Sequence, residues 1–192
     1  MTSNIVGVLL AAGRGERFSG HKLLAPWRDG AAIAVAAARN LIDALPDSVA
    51  VLRPGDEILA SLLAAEGLRI VVNPNADGGM GTSLACGVAA SEADGWLIAL
   101  ADMPAIRPTT IQAVAEALAA GAPLAAPVYH GQRGHPIGFT RRFRVALAAL
   151  DGDRGGRDIL AQHANELRLI EVDDAGVLVD IDRAADLIAE GR

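Results

Sequence analysis

The stretch "VLLAAGRGERFSGHK", Val8–Lys22, runs from apolar residues into a turn rich in glycine and positive charge. Arg14, Arg17 and Lys22 follow Gly13, against a single acid, Glu16. Backbone N–H groups of a glycine-rich turn bind phosphate oxygens. Arg neutralises a polyphosphate as a fork and Lys as a point charge. The loop therefore suits a nucleotide phosphate, with an ordinary solvated basic loop as the plainer alternative. It is not a complete dinucleotide fingerprint, because Phe18 stands at the third glycine position of G-x-G-x-x-G. Nor is it a G-x-x-x-x-G-K-[ST] phosphate loop, because Leu23 follows Lys22.

Carboxylates supply the second chemistry. "ADMP", Ala101–Pro104, places Asp102 directly after the apolar run "WLIAL". Mg²⁺ prefers one or two protein carboxylates completed by substrate phosphates, and Asp102 suits that role; a turn aspartate is the alternative. "DID", Asp180–Asp182, puts two carboxylates on one side if extended, and offers either a second metal contact or a helix cap. "GGMGTS", Gly78–Ser83, opens a helix with three glycines, which allow close backbone approach to a ligand. Ser83 would cap that helix or touch the ligand. From His130 to Leu150 there is no acid, but four arginines (Arg133, Arg141, Arg142, Arg144) and two histidines (His130, His135). Arg133 and His135 lie in the turn-rich "GQRGHP" and are the better candidates for an anionic second substrate. The other arginines also suit a solvated surface. "DGDRGGR", Asp151–Arg157, reads as a loop that either closes over a ligand or joins two helices.

The elements that must position these residues alternate. Apolar runs at Ile5–Leu10, Ser48–Leu52, Leu68–Val72, Trp96–Leu100, Leu124–Tyr129 and Leu167–Val172 read as strands. Helical patterns cover Ala31–Leu45, Asp56–Glu66, Thr82–Ser91, Thr109–Ala120, Phe143–Leu150 and Ala184–Glu190. The order predicts an α/β protein, a single Rossmann-like domain over residues 1–192 with a mostly parallel sheet and helices on both faces. Ligands of such sheets bind outside the carboxyl ends of the strands. The loops after the first, third, fourth and fifth strands are therefore expected to line one crevice.

Composition excludes several classes. A net charge of −6 argues against general nucleic-acid binding. Hydrophobic residues make up 52%, yet no run approaches the roughly 20 apolar residues of a spanning helix. No basic-then-apolar leader opens the chain, so a cytoplasmic location is expected. Cys86 is the only cysteine, which excludes an intrachain disulfide, and its apolar setting suggests a buried structural thiol.

In combination these motifs resemble a known family. "LLAAGRGERFSGHKLLAPW" is similar to the L-A-A-G-x-S-x-R-M-G-x-x-K-L-L pattern of the molybdenum cofactor cytidylyltransferases, within the MobA-like nucleotidyltransferases. It matches at Leu10, Ala11, Ala12, Gly13, Arg17, Lys22, Leu23 and Leu24, and departs at Gly15, Phe18 and Ser19. "GMGTSLACGV", "LADMP", "RGHPIGF", "GDRGGRDIL" and "DIDRAADL" continue the resemblance in order along nearly the whole chain.

The resemblance implies a fold of the nucleotide-diphospho-sugar transferase type. It also implies a reaction in which the phosphate of the molybdenum pterin cofactor attacks the α-phosphorus of CTP and pyrophosphate leaves. Asp102, with Asp182, would hold Mg²⁺. Lys22 and Arg17 would stabilise the triphosphate. Leu10, Ala11, Ala12, Gly13, Arg14, Gly79 and Ser83 would frame the nucleotide, Asn73 its base or ribose. Arg133 and His135 would face the pterin, and an acceptor molybdoenzyme is a further possible partner. Related guanylyltransferases read L-A-G-G where this chain has Leu10-Ala11-Ala12-Gly13. The Ala12 methyl would crowd a purine, which favours CTP over GTP. A GTP-using or other small-phosphate nucleotidyltransferase, and a non-catalytic carrier of the pterin cofactor, remain as alternatives.

Overall fold

Strand β1 (Ile5–Leu10) is buried on both faces, and its side chains divide between two cores. Ile5 and Leu9 pack into one, Val6 and Val8 into the other. Strand β4 (Gly95–Leu100) repeats the division, with Leu97 and Ala99 on the first side and Trp96 and Ile98 on the second. This alternation at a period of two is why both strands read as unbroken apolar runs. The computed structural model describes residues 3–13, 15, 18, 21–28, 30–183 and 185–186.

Among the described residues eight strands form one sheet. Besides β1 and β4 these are β2 (Ser48–Leu52), β3 (Arg69–Val72), β5 (Leu124–Tyr129), β6 (Gln132–Arg133), β7 (Ile137–Thr140) and β8 (Leu167–Glu171). Their order is β3-β2-β1-β4-β7-β5, with β6 and β8 both paired to β5. The pairs β1–β2, β1–β4, β2–β3 and β5–β8 are parallel, whereas β7 runs antiparallel between β4 and β5.

One face is covered by α1 (Ile33–Ala44), α2 (Glu57–Ala65) and α4 (Pro108–Ala119). The other carries α3 (Met80–Ala89), α5 (Arg144–Ala148) and α6 (Arg157–Gln162). The result is a single α/β domain with helices on both faces, as the alternation predicted. Gly87 lets α3 lie close to the sheet, since a Cβ there would meet Val8 Cγ1 at 2.5 Å. Trp96 is fully buried, and its indole Nε1 donates to Ser91 Oγ at 2.9 Å, so the largest side chain of that core leaves no orphan donor.

The structure adds β6, β7 and α6 to the expected elements. The expected helix Ala184–Glu190 lies largely outside the described residues, which include only its Ala185 and Asp186 in helical conformation. No helix among the described residues is long and apolar enough to cross a membrane.

The loop after β5 departs most from expectation. His130 (φ 48°) and Gly131 (φ 77°) both take left-handed backbone conformations. Positive φ at both central residues is the requirement of a two-residue hairpin turn whose twist matches its strands. The chain therefore reverses at once into β6.

Candidate active site

The carboxyl ends of β1 and β4 open into a cleft of about 870 Å³. Residues Ala12, Gly13, Gly15 and Lys22 of the first loop line it, facing Asp102 after β4. The loop before α3 contributes Ala76, Asp77 and Gly79, and the first turns of α3 add Met80 and Ser83. Two segments far along the chain complete the walls: Asp153 and Arg157, and Asp180 with Asp182.

Backbone hydrogen bonds hold these segments in place. The Ile181 N–H donates to the Asp102 carbonyl at 2.9 Å, and the Ile181 side chain is fully buried. Asp180 and Asp182 are thereby carried to the end of β4. Upstream, the buried Asp174 carboxylate accepts from Arg107 N at 2.9 Å, Thr110 Oγ1 at 2.7 Å and Gly176 N at 3.1 Å. It satisfies the start of α4 from 64 residues away and fixes the turn that leads into 180–182. On the opposite wall, Gly81 N donates to Gly152 O at 2.8 Å.

Charge concentrates at one end of the cleft. Lys22 Nζ donates to Asp102 Oδ2 at 2.7 Å and to Asp182 Oδ1 at 3.3 Å. Burial opposes its charge, but the two carboxylates outweigh that effect and hold the ammonium above its ordinary pKa. Asp180 is pushed up from the usual carboxylate range, first by desolvation and then by the nearby charges of Asp182 and Asp102. Asp102, Asp180 and Asp182 thus stand together beside Lys22. Two of their oxygens already converge on a single cation, the donor arrangement that a hard divalent ion uses. Among the described residues no group of three His, Cys, Asp or Glu side chains forms a metal cage by itself. A metal held here would complete its coordination with oxygens from substrate or water.

The expected site residues separate into three sets. Leu10, Ala12, Gly13, Lys22, Gly79, Ser83, Asp102 and Asp182 come together in the cleft. Arg14 and Arg17 lie outside the described residues. Four others sit elsewhere. Ala11 packs in the core, and its N–H donates to Val51 O at 2.9 Å. Asn73 is buried, with Nδ2 donating to Thr82 Oγ1 at 2.9 Å and Ser83 Oγ at 3.0 Å, while Oδ1 accepts from Asn75 N at 2.9 Å. Its side chain positions the glycine loop and the start of α3 from behind. Arg133 is exposed on the β6 hairpin. His135 is not among the cleft-lining residues; its Nδ1 is enclosed, with no hydrogen-bond partner among the described residues. Burial is the chief reason its pKa lies below the ordinary histidine value. Among the described residues, none that lines the cleft comes from the fifth loop, which the His130–Gly131 turn leads into β6.

Sequence patterning raised Asp180 together with Asp182 as a second metal contact but did not single out Asp153 or Arg157, although "DGDRGGR" contains both. The basic segment after His130 finds its acids within the fold. Arg141 and Arg144 bond Glu92 at 2.9 and 2.6 Å, and Arg142 pairs with Glu166. Cys86 is half-buried in α3, where desolvation raises its pKa, as suits a structural thiol.

Comparison with known proteins fits this geometry. Residues 7–167 match the MobA-like NTP transferase domain family. The chain is 32% identical over 188 residues to nicotine blue oxidoreductase of Paenarthrobacter nicotinovorans, covering 93% of this chain and 92% of that one. Rv0371c of Mycobacterium tuberculosis superposes with a TM-score of 0.85 at 26% identity, over 98% of this chain and 97% of that one. The manganese complex of Rv0371c superposes with a TM-score of 0.82 at 27% identity, over 97% of each chain. A nucleotidyl transferase of Methanothermobacter thermautotrophicus, 23% identical over 97% of this chain and 95% of its own, has the same fold with a TM-score of 0.83.

Proposed function

Because the chain belongs to the MobA-like NTP transferase family, we propose that it transfers CMP from CTP to the phosphate of a molybdenum pterin cofactor, with Mg²⁺ as its metal. The observation that carries this proposal is the convergence of Asp102 and Asp182 on one cation beside the glycine loop of β1. Manganese in the related Rv0371c supports a divalent ion, and the two carboxylates suit Mg²⁺ equally.

In the proposed reaction an oxygen of the acceptor phosphate bonds to the α-phosphorus of the nucleotide. The bond from that phosphorus to the bridging oxygen breaks, and pyrophosphate leaves. Reactions of this kind depend on position and charge more than on a protein nucleophile. The backbone at Gly13 and Gly15 approaches the phosphates without a side chain in the way. Lys22, together with Arg17, offsets charge on the triphosphate and the departing pyrophosphate. Ala12, Gly79 and Ser83 bound the nucleoside, and Arg157 adds a cation on the far wall. His135 and Arg133 are the residues proposed to face the second substrate. Asp102 and Asp182 hold the metal, which when bound would neutralise phosphate charge.

The test is pyrophosphate release by the purified protein with Mg²⁺ and the molybdenum-loaded pterin, with CTP and GTP supplied separately. Release with CTP is expected, and Asp102→Asn should lower it by at least about a hundredfold. Release with GTP alone would overturn the base assignment and keep the chemistry. No release with either would overturn the transferase proposal for this pair of substrates.

A second reading rests on the relative at 32% identity, whose name is that of an oxidoreductase. In that case the same cleft would hold a two-electron donor and an oxidised dye. Turnover of nicotine blue by the purified protein supplied with a two-electron donor, unaffected by Asp102→Asn, would favour it.

A further inference from the structure

The ammonium of Lys22 sits where a divalent ion would sit. It takes Asp102 Oδ2 at 2.7 Å and Asp182 Oδ1 at 3.3 Å, with its side chain only 11% exposed. An ammonium and a metal ion cannot both lie between the same two oxygens, because contact and like charge exclude it. We propose that Lys22 is a resident counter-cation that keeps the Asp102–Asp182 pair closed to divalent metal until a nucleotide triphosphate draws the ammonium away. This goes with the transferase proposal and depends on it for the identity of the nucleotide.

The local structure suits such an exchange. The backbone of Lys22 is anchored: Ala25 N donates to Lys22 O at 3.1 Å, Leu24 N donates to His21 O at 3.0 Å, and Leu23 is buried. The four-carbon stem beyond it is flexible, so the ammonium can move while the turn stays fixed. Gly15 itself lies directly over that stem. Its φ of +60° is left-handed, and a Cβ there would meet Lys22 Cβ at 3.1 Å. Phosphates cradled by this loop would therefore lie within reach of the same ammonium.

The exchange is also favoured by charge. Asp102, Asp180 and Asp182 bring three carboxylates to this end of the cleft, a setting that suits a divalent ion better than a singly charged ammonium. With the lysine moved onto the triphosphate, a divalent ion would restore the balance between the carboxylates. Metal and nucleotide would then bind cooperatively, each removing an obstacle to the other.

Mn²⁺ binding to the purified protein, followed by electron paramagnetic resonance, tests the proposal without turnover. Wild type should bind Mn²⁺ weakly alone and more tightly with a non-hydrolysable α,β-methylene analogue of CTP or GTP. Lys22→Met should bind Mn²⁺ at least about tenfold more tightly than wild type without nucleotide, and should gain less from the analogue. Lys22→Arg, which keeps a cation, should stay close to wild type. Adding Asp102→Asn to Lys22→Met should abolish the gain.

Equal or weaker Mn²⁺ binding by a cooperatively folded Lys22→Met would overturn the proposal, as would a gain that survives Asp102→Asn. Failure of both analogues to tighten Mn²⁺ binding to wild type would overturn the nucleotide-triggered half. If Lys22→Met binds Mn²⁺ more tightly while neither CTP nor GTP yields pyrophosphate, the role of Lys22 stands and the transferase proposal falls.

Discussion

Gly81 at the start of α3 donates its N–H to the Gly152 carbonyl at 2.8 Å, and this bond joins the glycine turn to the loop that carries Asp153 and Arg157. The fit leaves no room for a side chain, because a Cβ on Gly81 would lie 2.4 Å from the Asp151 carbonyl oxygen. The glycines of "GGMG" thus serve protein-to-protein packing as well as any approach to ligand.

Gly81→Ala should therefore push residues 151–153 outward and raise the nucleotide KM, with a stability loss of about 1–3 kcal/mol. Gly87→Ala is the control, since its Cβ would strike Val8 and Val51 away from the cleft. It should lower stability with little change in KM. Denaturant unfolding and steady-state kinetics on both variants check the contrast.

Asp174 should matter to the site although it lies outside the cleft. Asp174→Ala would leave the Arg107 and Gly176 N–H groups and the Thr110 hydroxyl without their partner. A loss of about 2–4 kcal/mol is expected. The 180–182 segment should loosen with it, so Mn²⁺ affinity should fall in protein that is still folded. Unchanged Mn²⁺ affinity would show that the segment keeps its place without Asp174.

Ala12 tests base choice. Its methyl lines the cleft and is almost fully buried. Ala12→Gly should raise kcat/KM for GTP relative to CTP by roughly tenfold, the effect expected of one methyl in a shaped pocket. An unchanged ratio would move the determinant elsewhere in the cleft.

His135 predicts a stability that depends on pH. Burial, aided by Arg133 and Arg157, favours the neutral ring; Asp102 and the Ile98 carbonyl oppose this. The folded pKa therefore lies below the ordinary value of 6.5. Between those two values the unfolded chain binds more protons, so stability rises with pH across the window and is lost as pH falls below about 6.5. Urea midpoints from pH 7.5 to 5.5 should drop more steeply for wild type than for His135→Gln. Parallel curves would mean that the ring takes up its proton without strain.

The strands were legible in the sequence wherever the local pattern carried the cause. β1, β2 and β5 have the bounds their apolar runs suggest, because burial on both faces requires apolar side chains at every position. That Asp102 and Gly13 would line the cleft at the strand ends was legible because each lies in the loop that follows such a strand. The short β7, Ile137–Thr140, was hidden: four residues after a proline carry too little periodicity to distinguish strand from loop.

Other parts depended on partners distant in sequence. Lys22 meets Asp102 across 80 residues and Asp182 across 160. Only the packed sheet decided that the lysine expected on phosphate rests between the two carboxylates. Asn73 reads as a ligand residue until Thr82 and Ser83 are seen to occupy its amide. Arg141, Arg142 and Arg144 suit either an anion site or a solvated surface until Glu92 and Glu166 are brought against them. By itself the sequence determined the alternating elements, the double-sided core and the chemical types gathered at the strand ends, because those follow from side-chain burial and loop composition. The tertiary structure alone decided which of those groups share a cleft and which neutralise one another, because hydrogen bonds and ion pairs depend on distance in space.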